Sequence, residues 1–218
     1  MDFKSCEQWE SEDVEIVFGI TEVTELPLLE NWLKAEPELT QSQLQTVADT
    51  HEEAKRYVNY WNEEELKLFL ISRLLNAVGF NAEGYRAYAE QSLEVVEGEV
   101  TARGNVDFMV AAGKGRPKAP YFLLQEYKPE RKALYDARGQ LLIAMQAAKR
   151  RNEAKGLTQP IYGTYVIGRF WFFVILNGDS YAVSLAYDST RPEQLRTVFN
   201  ALAQVKIYIE QLLQEPAV

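Results

Sequence analysis

The stretch GNVDFMVAAGKGRPKAPYFLLQEYK, residues 104–128, decides the fold that we predict for this chain. It holds two apolar segments, Asn105 to Ala111 and Tyr121 to Lys128, and a loop rich in Gly, Lys and Pro separates them. Short apolar segments bounded by turn residues are typical of buried β-strands. We therefore predict two neighbouring strands, the second ending at Pro129 because proline cannot donate to a sheet ladder.

Three ionisable side chains interrupt these apolar strands: Asp107 in the first, and Glu126 and Lys128 in the second. Side chains alternate faces along a strand, so Glu126 and Lys128 share a face. Burying such groups is costly unless they pair or bind something. Two facing carboxylates repel, and a divalent cation relieves that repulsion. We therefore expect the two carboxylates to lie within about 6 Å of each other around Mg²⁺ or Mn²⁺.

Helices and further strands are predicted on both sides of this pair. Asn62 is a good N-cap for a helix that begins with acidic residues and ends before Gly79. The other predicted helices are residues 28–34, 40–60, 134–153 and a last helix from Pro192; the other predicted strands are residues 14–20, 92–102, 162–167, 170–176 and 180–187, with a turn at Arg103-Gly104. This order predicts an α/β fold with a mixed central sheet flanked by helices.

Charge is unevenly distributed along the chain. Residues 1–65 hold 17 acidic and 4 basic side chains, whereas residues 103–155 hold 12 basic and 5 acidic side chains. We interpret residues 1–60 as an acidic N-terminal appendage, which could dock a protein partner or a second copy of the chain, and residues 61–218 as the α/β domain. The basic segment surrounds Asp107 and favours a polyanion such as DNA, with a solvated basic face as the alternative.

The composition excludes several classes of function. Cys6 is the only cysteine and His51 the only histidine, so disulfide frameworks and zinc sites built from several such residues cannot form. A metal would have to be held by oxygen ligands, which favours Mg²⁺ or Mn²⁺. The chain shows neither a secretory signal nor an apolar run of about 20 residues, so we expect a cytoplasmic protein that does not enter a membrane.

The motif resembles that of the PD-(D/E)XK nuclease superfamily, whose restriction-endonuclease-like core runs helix, three strands, helix, strand. Members carry an acid on the second strand and Glu-x-Lys on the third, and these positions hold Asp107 and Glu126-Tyr127-Lys128 here. Val106 replaces the proline of the motif's name. The helix that follows Asn62 and ends before Gly79 also resembles the first core helix of the nuclease domains in type I restriction subunits and Holliday-junction resolvases. This resemblance implies Glu63 as a further metal-shell acid. The resemblance likewise implies Gln140, on the helix after the third strand, as a site residue.

The resemblance implies Mg²⁺-dependent hydrolysis of DNA phosphodiester bonds. Asp107, Glu126 and Glu63 would hold the metal, while Lys128 would orient the attacking water and stabilise charge on the phosphoryl oxygens. A nuclease-like fold that binds or regulates without efficient cleavage is the alternative. The absence of a recognised DNA-reading motif and the acidic N-terminal region favour it.

The same residues also have simpler interpretations. Asp107 can cap local backbone groups, and Glu126 can form a solvent-facing ion pair with Lys128 on an edge strand. Glu63 can act on the helix dipole alone, and the two glutamates that follow it compete for its role. Gln140 can be an ordinary surface amide.

Overall fold

A computed structural model describes residues 2–5, 9–128 and 136–214 of the chain. The strands are β1 (Asp2–Ser5), β2 (Thr21–Glu22), β3 (Asn81–Ala82), β4 (Tyr85–Glu97), β5 (Val100–Ala112), β6 (Lys118–Lys128), β7 (Ile161–Ile167), β8 (Phe170–Asn177), β9 (Ser180–Val183) and β10 (Tyr187–Asp188). The α-helices are α1 (Ser11–Phe18), α2 (Pro27–Leu33), α3 (Gln41–Tyr57), α4 (Glu63–Leu66), α5 (Ser72–Val78), α6 (Ala137–Glu153) and α7 (Pro192–Gln214). A 3₁₀ turn (Val58–Tyr60) follows α3, and a π-helical turn (Lys67–Ile71) joins α4 to α5.

One mixed sheet contains every strand of the described ranges. Its order is β2-β9-β8-β7-β6-β5-β4-β3, with β1 beside β5 and β10 beside β8. The pairs β1–β5, β2–β9 and β6–β7 are parallel, and the remaining pairs are antiparallel. Helix α6 lies between β6 and β7 in the chain, as a parallel crossover requires. The predicted α/β class with a mixed central sheet is therefore confirmed.

Helices cover both faces of the sheet and enclose two apolar cores. Helices α1 and α6 form one core, which includes Val14 and Leu141. Helices α2, α3, α5 and α7 form the other, which includes Trp32 and Phe199. The indole Nε1–H of Trp32, which is fully buried, donates to the carbonyl oxygen of Ala201 at 2.8 Å. Elements from before residue 61 thus contribute side chains to both cores.

The turn between β4 and β5 differs from the prediction. The prediction of a turn at Arg103-Gly104 is wrong, because β5 runs through these residues and Arg103 lies opposite Glu94 in the antiparallel ladder. The chain reverses at Gly98 instead, where φ is 57°. Glycine adopts this left-handed conformation without a Cβ penalty. Branched and charged residues alternate on both sides of either glycine, so the local pattern alone does not distinguish the two turns.

The predicted strand over residues 14–20 is also wrong, because Ser11–Phe18 forms helix α1. The side chain of Asp13 accepts a hydrogen bond from the backbone N–H of Glu10 at 3.5 Å, as at the start of a capped helix. Val14 and Phe18 lie one helical turn apart and are both buried. A short segment rich in β-branched residues fits either structure, and packing against α6 selects the helix here.

The predicted strand over residues 92–102 is wrong, because it contains the turn at Gly98, and the predicted strand over residues 180–187 is interrupted after Val183. The remaining predicted elements agree with the structure to within about five residues wherever the structure describes them. Thr40 caps α3 by accepting from the N–H of Gln43, and the helix becomes 3₁₀ after Tyr57. Asn62 caps α4, and the continuous helical segment ends at Gly79 with φ 73°. Two predicted features, the stop at Pro129 and the start of α6 near residue 134, lie outside the described residues.

Gly139 of α6 lies directly against the start of α1. A Cβ atom at this position would lie 2.5 Å from the carbonyl oxygen of Trp9 and 3.2 Å from the backbone nitrogen of Ser11. We therefore expect Gly139→Ala to lower the free energy of unfolding by about 1–3 kcal/mol through overpacking, despite alanine's better helix propensity. Gly115→Ala is the control in thermal denaturation, since its Cβ meets open space. A Gly139→Ala protein that melts at or above the wild-type temperature would contradict this contact.

Candidate active site

Strands β5 and β6 place two carboxylates side by side. The ladder pairs Phe108 with Gln125, so Asp107 and Glu126 are the next residues across the two antiparallel strands. Their side chains are only 11% and 7% exposed. The backbone N–H of Tyr127 donates to Oδ2 of Asp107 at 2.8 Å and so fixes the orientation of that carboxylate.

Burial and neighbouring charges shift the ionisation of both carboxylates. Burial raises the pKa of Glu126 to about 7, and the negative charge of Asp107 adds to this effect. Burial also raises the pKa of Asp107, while contacts with Lys67 and the Tyr127 N–H oppose the rise. Neighbouring carboxylates in a low-dielectric environment need cations to remain ionised together. The pair is therefore a place where positive charge is strongly favoured.

Lys128 supplies one such charge from the same strand as Glu126. Its Nζ lies 2.9 Å from Oε1 of Glu126, and the side chain is 17% exposed. Burial acts to lower the pKa of Lys128, but the charges of Glu126 and Asp107 outweigh it and raise the pKa. The ammonium therefore stays protonated at neutral pH. The interpretation as a solvent-facing pair on an edge strand is wrong, because β6 lies between β5 and β7 and both side chains are largely buried.

Lys67 is a site residue that the sequence reasoning missed. Its Nζ lies 3.1 Å from Oε1 of Glu63, 3.3 Å from Oε1 of Glu90 and 3.0 Å from Oδ1 of Asp107. Burial acts to lower the pKa of Lys67, but Asp107 and Glu63 outweigh it and raise the pKa. The spacing of four residues from Glu63 could have revealed one of these ion pairs. The contacts to the two strands depend on how the helix packs on the sheet.

Glu90 reaches the site through a distorted stretch of β4. The ladder pairs the residues on either side of Glu90 with those on either side of Asp107, so the two acids lie opposite each other. Glu90 has φ 50°, and among the described residues it is the only non-glycine with a positive φ. This conformation costs roughly 1–2 kcal/mol for an ordinary residue, and such strain tends to accumulate at functional sites. The distortion accompanies the contact between Glu90 and Lys67.

The three glutamates at the start of α4 have different roles. Glu63 pairs with Lys67, and its charge also acts on Lys128. Glu65 accepts from the backbone N–H of Asn62 at 2.8 Å in a capping box, and Glu64 is exposed. Glu63 is therefore the one that faces the carboxylate pair, and its contacts go beyond the helix dipole.

Gln140 is placed differently from the surface amide that sequence reasoning allowed. It is only 6% exposed on α6, and among the described residues its Oε1 has no hydrogen-bond partner. No described hydrogen bond joins Gln140 to the carboxylates of Asp107 or Glu126. The structure therefore buries this residue, and its role at the site stays a prediction.

The cluster suits a divalent cation in donor type and in charge. Its carboxylate oxygens are the hard ligands that Mg²⁺ and Mn²⁺ prefer. Among the described residues, four carboxylates surround two ammonium groups, so two negative charges are in excess within this set when all are ionised. Within the described residues, however, no three Asp, Glu, His or Cys side chains are grouped closely enough to hold a metal. Asp107 and Glu126 are therefore the ligands that fit best. The other two acids, Glu63 and Glu90, both contact Lys67.

Comparisons with known proteins do not assign this site. No protein-family model matches the chain, and no curated protein shows significant similarity to it. None of the helices in the described ranges is long and apolar enough to cross a membrane. What the protein does is therefore inferred from the chemistry of the carboxylate–lysine cluster.

Proposed function

We propose that this protein is a Mg²⁺- or Mn²⁺-dependent nuclease that hydrolyses phosphodiester bonds of DNA. The observation that carries the proposal is the buried cluster of Asp107, Glu126 and Lys128 on adjacent central strands. The order α5, β4, β5, β6, α6, β7 supports a restriction-endonuclease-like core, since the acid lies on the second strand and Glu-x-Lys on the third. Buried groups with shifted pKa values that gather in one place are typical of catalytic sites.

Each side chain has a distinct role in the proposed reaction. Asp107 and Glu126 would hold the cation, and the hydrogen bond from the backbone N–H of Tyr127 keeps Asp107 in one orientation. When bound, the metal supplies Lewis acidity toward the phosphoryl oxygen and lowers the pKa of a coordinated water. The protonated Lys128 stabilises negative charge that develops on the phosphoryl oxygens and orients the attacking water.

The basic segment offers a surface for the phosphate backbone, although part of its charge is already neutralised. Lys149 pairs with Asp179 at 2.7 Å, and Arg150 pairs with Glu97 at 2.6 Å. By contrast, three cations before and at the start of β6 form no ion pair with any described residue: Lys114, Arg116 and Lys118. These cations support a polyanionic substrate, because phosphate contacts dominate the affinity of proteins for DNA.

Mn²⁺ should raise the melting temperature of the wild-type protein, because a ligand that binds only the native state stabilises it. The gain is about 2.7 kcal/mol at a concentration 100 times the Kd. We expect Asp107→Ala to abolish the rise, and thermal denaturation with and without Mn²⁺ measures it. Asp49→Ala, which removes an exposed acid on α3, is the matched control and should keep the full rise. An unchanged rise in Asp107→Ala would exclude Asp107 as a ligand.

A nuclease-like fold that binds or regulates without cleavage is the second candidate. The contact of Lys67 with Asp107 favours it, because the ammonium already neutralises this carboxylate. DNA binding measured in a chelator, followed by cleavage assays in Mn²⁺, separates the two functions. Affinity for DNA without metal-dependent cleavage would support the binding module.

A further inference from the structure

The Lys67 ammonium contacts carboxylates from three different elements. Glu63 comes from α4, Glu90 from β4 and Asp107 from β5, and each oxygen lies 3.0–3.3 Å from Nζ. Side chains from separate elements rarely converge on one point unless a charge holds them there, since each carboxylate repels the others. The Lys67 ammonium is therefore the positive charge around which these three carboxylates gather.

A metal ion on Asp107 would compete with the Lys67 ammonium for that carboxylate. Oxygen ligands lie about 2.0–2.1 Å from Mg²⁺, which places a bound cation within a few ångströms of an ammonium on the same carboxylate. Repulsion between like charges at such a distance is strong in a partly buried site. The second oxygen of Asp107 offers limited relief, because it accepts the backbone hydrogen bond from Tyr127.

Lys67 has room to move away from Asp107 without losing its other partners. Its side chain is 20% exposed, and that of Glu90 is 60% exposed. A lysine has a flexible four-carbon stem with a compact charge at its end. Lys67 is also the first residue of a π-helical turn, a distortion found frequently at functional sites. The ammonium can therefore remain with Glu63 and Glu90 when another cation takes Asp107.

We propose that Lys67 is an internal competitor for the metal: its ammonium neutralises Asp107 in the metal-free protein and leaves it when a divalent cation binds. The idea rests on the proposed function, because it concerns regulation of the same site. Competition of this kind raises the metal concentration at which the site fills. The charge of Lys67 thus sets a threshold for metal binding.

Mn²⁺ binding to the full chain, measured by electron paramagnetic resonance of the free ion, tests this competition without any activity assay. Lys67→Met and Lys67→Gln should bind Mn²⁺ about tenfold to a hundredfold more tightly than wild type, the range that one charge-assisted hydrogen bond supplies. Lys67→Gln serves if the methionine variant fails to fold, since its amide can still hydrogen-bond Asp107. Lys67→Arg keeps the charge and should gain nothing. Lys55→Met removes an exposed lysine of α3 and should bind as wild type does.

The outcomes separate this inference from the proposed function. Equal or weaker Mn²⁺ affinity in both neutral variants overturns the competition, while binding by the wild type still supports the nuclease. Tight binding by the variants alone supports the competition and counts against metal-dependent activity of the wild type at ordinary Mn²⁺ concentrations. Absence of binding in every protein overturns both. A gain in Lys67→Arg equal to that in Lys67→Met would also overturn the competition, because charge would not be its cause.

Discussion

Lys128→Ala should lower the rate of metal-dependent DNA cleavage about 10²–10³-fold. This is the effect of removing one preorganised electrostatic donor from an active site. Lys128 contacts Glu126 at 2.9 Å and carries a positive charge maintained by two neighbouring carboxylates. It does not act as a metal ligand in the proposed reaction. The variant should therefore keep the rise in melting temperature with Mn²⁺ while cleavage of plasmid or single-stranded DNA falls.

Two further variants sharpen this test. Lys128→Arg should restore only part of the rate, because a planar guanidinium does not provide the compact charge of an ammonium near the metal. Lys55→Ala changes an exposed lysine of α3 and should cleave at close to the wild-type rate. Wild-type activity in Lys128→Ala would point to a contaminating nuclease and would remove the support for the proposed mechanism.

Glu126→Gln should change how the stability of the metal-free protein depends on pH. Folding raises the pKa of Glu126 from its ordinary 4.5 to about 7, so the folded state binds more protons than the unfolded state between these values. The contribution of Glu126 to the free energy of unfolding is thus most favourable at low pH and is lost as pH rises through about 7. The loss amounts to at most about 3 kcal/mol. The charged side chains that act on Glu126 are Asp107, Lys128 and Lys67.

Urea denaturation in a chelator between pH 5 and 8 measures this dependence. The wild type should lose stability across the range from this group, whereas Glu126→Gln should lose that part of the slope, since its amide does not titrate. Glu83→Gln, at an exposed glutamate between β3 and β4, should keep the wild-type slope. Mn²⁺ should counteract the loss at high pH, because metal binding requires the ionised carboxylate. Identical slopes in wild type and Glu126→Gln would show that Glu126 ionises normally.

The local pattern of the sequence determined much of the secondary structure and half of the site. The spacing of Glu126 and Lys128 placed them on one face of a strand, and an ion pair of 2.9 Å joins them in the structure. Capping residues located the starts of α3 and α4 at Thr40 and Asn62. Gly79 marked the end of the same helical segment. These features depend on hydrogen bonds and side-chain periods that extend over only a few residues.

Tertiary structure alone decided which charges surround Asp107. The contact between Lys67 and Glu90 joins residues 23 positions apart, and the one with Asp107 spans more of the chain. The same packing selected a helix for Ser11–Phe18 and a turn at Gly98, where the local pattern allowed two structures. The sequence by itself therefore determined the carboxylates and the lysine of the strand pair. The helix bearing Lys67 had to pack on the sheet before its ammonium could meet them, because such contacts follow from three-dimensional packing and not from local residue preference.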